Sequence, residues 1–116
     1  MFSRGDRIRK TLQKEISDII QRSIKDPRIS GIVSVTDIEL SPDYKYAKVY
    51  VSIFGTDEQK EQTMEALEDA TSQVRYEVGK RVRLRHTPEI EFRRDDSLER
   101  GSRITDLIDK ISRGEL

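Results

Sequence analysis

Residues 66–92 read ALEDATSQVRYEVGKRVRLRHTPEIEF. The stretch opens as an acidic amphipathic helix, loses its rhythm at Ala70-Thr71-Ser72, resumes as a basic helix, and turns at Thr87-Pro88 into a short strand. Met64, Leu67, Thr71, Val74 and Val78 step by three and four residues, so one apolar stripe continues through the break. The hydroxyls of Thr71 and Ser72 compete for backbone hydrogen bonds, which predicts a kink joining two helical segments. Gly79 either permits close packing or frays the helix end. Between Arg75 and Arg85 stand Arg75, Lys80, Arg81, Arg83 and Arg85 against one acid, Glu77. Such a density of cations is the footprint of a phosphate-binding surface; the alternative is a solvated helix face. Tyr76, Lys80 and Arg83 are expected on the face opposite Val74 and Val78, an aromatic among cations that suits nucleic acid.

Upstream, Ile8, Leu12, Ile16, Ile19, Ile20 and Ile24 make one apolar stripe, predicting a helix from Asp6 to Ile24. Asp6 after Gly5 is the expected N-cap, and Asp26-Pro27 the expected stop. Arg4, Arg7 and Lys10 in its first turns are candidate RNA contacts. Ile32–Leu40 is a strand whose apolar parity switches after Val35, which predicts a bulge near Thr36-Asp37. Ser41-Pro42-Asp43 is a turn, and Tyr46–Phe54 is the clearest strand, pairing with the first as a hairpin. Its Ala47, Val49, Val51 and Ile53 share one face; Tyr46, Lys48, Tyr50, Ser52 and Phe54 share the other. Those aromatics either stack on bases, or cover the sheet or pair across strands, and the second reading is preferred because no second aromatic strand accompanies them. Thr56 followed by Gln59 is a capping box that starts the acidic helix.

Downstream, Glu89–Arg94 is a third strand with Ile90 and Phe92 inward. A last helix is expected after Asp95-Asp96-Ser97, with Ile104, Leu107, Ile108 and Ile111 as its stripe, a start weakened by Gly101, and a frayed end at Arg113–Leu116. Helix, two strands, helix, kink, helix, strand and helix predict an α+β domain, a three-stranded sheet covered by helices, over residues 1–116.

Charged residues make up 38% and hydrophobic ones 34%, a polar chain that still suffices for one modest core. The net charge is zero, yet Asp57, Glu58, Glu61, Glu65, Glu68 and Asp69 precede the basic run, so charge is segregated as a nucleic-acid binder requires. Without cysteine, disulfides, thiolate metal sites and thiol catalysis are excluded. No apolar run is long enough for a membrane helix, and the N-terminus carries no secretory signal, so a cytoplasmic protein is expected.

The chain resembles the bacterial ribosome-binding factor A family along essentially its whole length. The resemblance is carried by Lys25-Asp26-Pro27-Arg28, by Ser41-Pro42-Asp43 with Tyr46-Ala47-Lys48-Val49-Tyr50-Val51, by Gly79-Lys80 with Arg83-Leu84-Arg85, and by Pro88-Glu89-Ile90-Glu91-Phe92 with Asp96-Ser97 and Gly101. It implies a KH-like fold of the second type, and binding to the immature small (30S) ribosomal subunit near 16S ribosomal RNA. It also implies support of 5′-end processing and of growth in the cold, with no cofactor and as a monomer. KH domains clamp the nucleic-acid backbone with a GxxG loop; this family has a kink at an alanine instead, here Ala70-Thr71-Ser72, with Ser72 where glycine is usual. The resemblance carries Ala70 over as the kink and Arg75, Lys80, Arg83 and Arg85 as the RNA face; Arg81 rests on charge alone.

Catalysis finds no site in these residues. His86 is the lone histidine and has no nucleophile beside it in sequence; Asp95-Asp96 reads as a helix cap rather than a metal site. The remaining alternative is a protein-interaction module that uses a sheet edge or the Tyr46/Tyr50/Phe54 face.

Overall fold

The computed structural model describes residues 3–29 and 32–97. They form α1 (Arg4–Arg22), β1 (Ile32–Leu40), β2 (Tyr46–Phe54), α2 (Asp57–Asp69), α3 (Thr71–Arg81) and β3 (Glu89–Arg94). The helix expected beyond Ser97 lies outside the described residues. The architecture is α+β, with a three-stranded sheet in the order β1-β2-β3.

β1 and β2 are an antiparallel hairpin whose register slips between Val35 and Asp37, where the parity switch in sequence requires it. The bulge is tied down on both sides. Gln13 Nε2 of α1 donates to Val35 O at 2.9 Å, and the Thr36 hydroxyl donates to Asp95 just past β3 at 2.7 Å. β3 pairs with β2 in parallel, from Tyr46↔Glu89 to Val51↔Arg94. A parallel neighbour needs a long crossover, and α2 with α3 supplies it.

One face of the sheet is buried. Ala47, Val49, Val51 and Ile53 of β2, with Val33, Val35 and Ile38 of β1 and Ile90 and Phe92 of β3, meet Leu12, Ile16, Ile19, Leu67, Val74 and Val78 from the helices in one core. No described helix covers the other face, which carries Lys48 between Glu39 and Glu91, and Tyr50, whose hydroxyl donates to Glu39 at 3.0 Å. The expectation that this face's aromatics pair across strands therefore holds for Tyr50, whereas Tyr46 and Phe54 stand exposed.

Two helix boundaries differ from the expectation. Ser3, not Asp6, caps α1: its hydroxyl accepts from Asp6 N while the Asp6 carboxylate accepts from Ser3 N, a reciprocal capping box. The helix ends at Arg22 rather than at the proline, because Ser23 N and Ile24 N both turn back to Ile19 O. Asp26 is then free to accept three hydrogen bonds from Arg28, through its backbone N–H and its guanidinium.

Val51 is fully buried, whereas Lys48 faces outward on the same strand. Val51→Asp should unfold the domain, costing at least ~4 kcal/mol through lost apolar burial and an unpaired buried charge. Lys48→Ala should cost less than about 1 kcal/mol, as a cross-strand surface pair does. Equal melting temperatures for the two variants would overturn this assignment of faces.

Candidate nucleic-acid interface

The interface is built where α2 gives way to α3. Ala70 is both the last cap of α2 and the first of α3, at φ −90°, ψ 0°. Its φ is negative, so Ala70 adopts it without the left-handed backbone that calls for glycine. The Thr71 hydroxyl donates to Leu67 O at 3.1 Å, the competition expected from its side chain. Ser72 lies in the first turn of α3 and is exposed.

Of the candidate cations, the structure leaves some to solvent and engages others. Arg75 reaches across to the entry of β3: its guanidinium donates to Thr87 O at 3.1 Å and Pro88 O at 3.3 Å, with Glu89 3.8 Å away. It holds the loop before β3 against α3. Arg81 packs on α1, where it meets Asp18 at 2.6 Å and Glu15 at 3.4 Å, and its side chain is 27% exposed. Its hydrogen bond to Asp18 raises the guanidinium pKa and, as the largest cause, lowers that of the Asp18 carboxyl. Arg81 is therefore a clamp between α1 and α3, a role that charge density along the sequence cannot reveal.

Lys80 remains exposed, 3.3 Å from Glu77, with its ammonium 4.8 Å from the Tyr76 ring centre. α3 stops at Arg81, so Arg83 does not share a helix face with Tyr76 and Lys80 as expected. Val82 is instead extended, and the chain alternates: Val82 and Leu84 are half-buried while Arg83 and Arg85 are exposed. The two arginines thus stand exposed on the connection that follows α3. Arg4, at the start of α1, lies 6.0 Å from the Tyr44 ring centre, and Arg7 and Lys10 are exposed on α1. Neither Arg7 nor Lys10 lines the groove along α3 described below.

A groove of about 600 Å³ runs along α3, lined by Ser72, Arg75, Tyr76, Lys80, His86 and Glu89 among others. Gly79 shapes its wall, since a Cβ there would stand 3.1 Å from the Thr87 hydroxyl. Close packing, not fraying, is the use of this glycine. His86 is an exposed member of the lining, and among the described residues no cluster of His, Asp and Glu could hold a metal ion. Asp95 accepts from Ser97 N at 2.9 Å and from the Thr36 hydroxyl at 2.7 Å.

The carboxyls of Asp18 and Asp26 are both lowered, chiefly by side-chain hydrogen bonds from Arg81 and Arg28. A lowered folded-state pKa gives stability that is present above the ordinary carboxylate range and lost as pH falls through the folded value. The melting temperature should therefore drop on acidification below about pH 4. Arg81→Gln should lower it at pH 7 and make the remaining acid dependence shallower. An unchanged acid profile in that variant would remove the clamp.

Comparison with known proteins bears on the family and the fold. The ribosome-binding factor A family model matches residues 4–108. Ribosome-binding factor A of Clostridium tetani is 51% identical over 112 residues, which is 97% of this chain and 93% of the relative. The crystal structure of ribosome-binding factor A from Thermus thermophilus superposes with a TM-score of 0.67 at 28% identity, over 76% of this chain and 91% of that one. A homology model of the Thermus thermophilus factor, fitted into a cryo-electron-microscopy map of a 30S complex, superposes with a TM-score of 0.64 at 28% identity over 76% and 91% of the two chains. Since the family match spans every described helix and strand, this chain belongs to the ribosome-binding factor A family.

Proposed function

We propose that this protein binds the immature small ribosomal subunit and contacts 16S ribosomal RNA there through Lys80, Arg83 and Arg85. A Thermus thermophilus relative has been fitted into the map of a 30S complex, which supports the subunit as the target. The observation that carries the RNA contact is the allocation of charge around α3. Arg75 and Arg81 are engaged within the fold, while Arg83 and Arg85 stand exposed with no carboxylate partner among the described residues. Exposed, unpaired cations on a rigid scaffold release counterions when they meet phosphates.

The order helix, strand, strand, helix, helix, strand supports a KH-like fold of the second type, with Ala70 in place of the GxxG loop. On this reading Ala70, Thr71 and Ser72 set the angle of α3, and Arg75 and Arg81 hold it. The protein acts as a non-enzymatic monomer in the cytoplasm, without a cofactor. Its binding supports 16S maturation, including 5′-end processing and growth in the cold. A second reading is protein contact through the open sheet face, favoured by the exposure of Tyr46 and Phe54.

Neutralising Lys80, Arg83 and Arg85 together should leave the melting temperature nearly unchanged and weaken subunit binding. The slope of log K against log salt should flatten by roughly two units, at about 0.7 to 0.9 per phosphate contact. An unchanged affinity and slope would transfer recognition to the open sheet face. In sucrose gradients the parent protein should travel with small subunits and not with assembled ribosomes; finding it only in ribosome-free fractions at low salt would sink the assignment.

A further inference from the structure

We propose that a single-stranded segment of RNA follows a track that leaves α3, rounds the start of β3 and ends on the β1–β2 turn. The inference rests on the RNA-binding reading above and extends it to residues outside the basic cluster. The groove along α3 adjoins a second cavity of about 300 Å³. The two share Arg75, His86, Thr87 and Glu89, and the second adds Lys45 and Tyr46. The neighbouring residue of the turn, Tyr44, carries Arg4 6.0 Å from its ring centre. Cations and rings therefore alternate along one path: Lys80 and Tyr76, then His86, then Lys45 and Tyr46, then Tyr44 and Arg4.

Two features suit this path to unpaired bases. Two of the platforms are presented open, Tyr76 being 66% and Tyr46 61% exposed, while Tyr44 is half-buried. Bases already stacked in a duplex gain nothing from such rings, whereas splayed single-stranded bases do. The platforms are also held in place. Tyr44 sits at φ 61° in a turn closed by Tyr44 N to Ser41 O at 2.9 Å, and the Asp43 carboxylate accepts from the Ser41 hydroxyl and Lys45 N. Tyr46 is anchored through its N–H to the Ser41 hydroxyl, and Lys45 O accepts from Glu89 N at 2.8 Å. A platform fixed before binding loses little freedom on contact. The acid on the path, Glu89, has the Arg75 guanidinium 3.8 Å away, which offsets its repulsion of phosphate.

The test is fluorescence anisotropy on the full chain, with a short labelled single-stranded RNA and a blunt duplex of the same sequence. Tyr46→Thr keeps strand propensity, and Tyr44→Asn tolerates the positive φ. Each should weaken the single strand roughly tenfold, leave the duplex unaffected and leave the salt slope unchanged, because a stack is lost and no phosphate contact. Tyr46→Phe, which keeps the ring, should bind like the parent. Single-strand binding equal to the parent in Tyr46→Thr and Tyr44→Asn overturns the track, as does an equal loss for duplex and single strand. A parent protein that binds neither RNA at low salt overturns the RNA-binding reading itself.

Discussion

The parallel pairing of β2 with β3 is the constraint on which the rest of the molecule depends. A parallel neighbour cannot be reached by a tight turn, so the chain must cross over the sheet, and α2 and α3 are that crossing. Their apolar stripe then has one place to go, the buried face under Val49 and Val51. The return to β3 carries Val82 to Pro88 past the end of α3, and Arg75 pins that return through the Thr87 and Pro88 carbonyls. The exposed arginines lie on this obligatory connection, so the surface that carries the charge follows from the topology.

Charge is distributed along the same path. Asp57 and Glu58 lie in the first turn of α2, and Lys80 and Arg81 in the last turn of α3, each favourable to its helix dipole. A chain of zero net charge thereby presents a basic end. Within that end, cations divide by geometry. Arg81 faces the carboxylates of α1 and is engaged by them, while Arg83, two residues on and past the end of α3, faces none among the described residues.

Much of the fold is legible in local pattern. The alternation of Ala47 to Ile53, the parity switch after Val35, the Thr56 capping box and the break at Ala70 all act over a few residues, and each appears where the pattern places it. The start of α1 is harder to read because Gly5 looks like a boundary, when Ser3 and Asp6 form a reciprocal cap across it. The parallel sense of β3 is set by the crossover, and no local pattern records it. The roles of Arg75, Arg81 and Arg28 are hidden for a related reason. Their partners are Thr87, Asp18 and Asp69, and sequence spacing does not show which distant carboxylate or carbonyl a guanidinium will meet.

The central claim is that the outer side of the Val82–Pro88 connection faces ribosomal RNA. The most direct measurement is photo-crosslinking of the full-length protein on immature small subunits, with the probe placed at Arg85 in one variant and at Ser34 on the open sheet face in another. The account predicts crosslinks to 16S ribosomal RNA from position 85 and none from position 34. RNA crosslinks from position 34 with none from position 85 would contradict it.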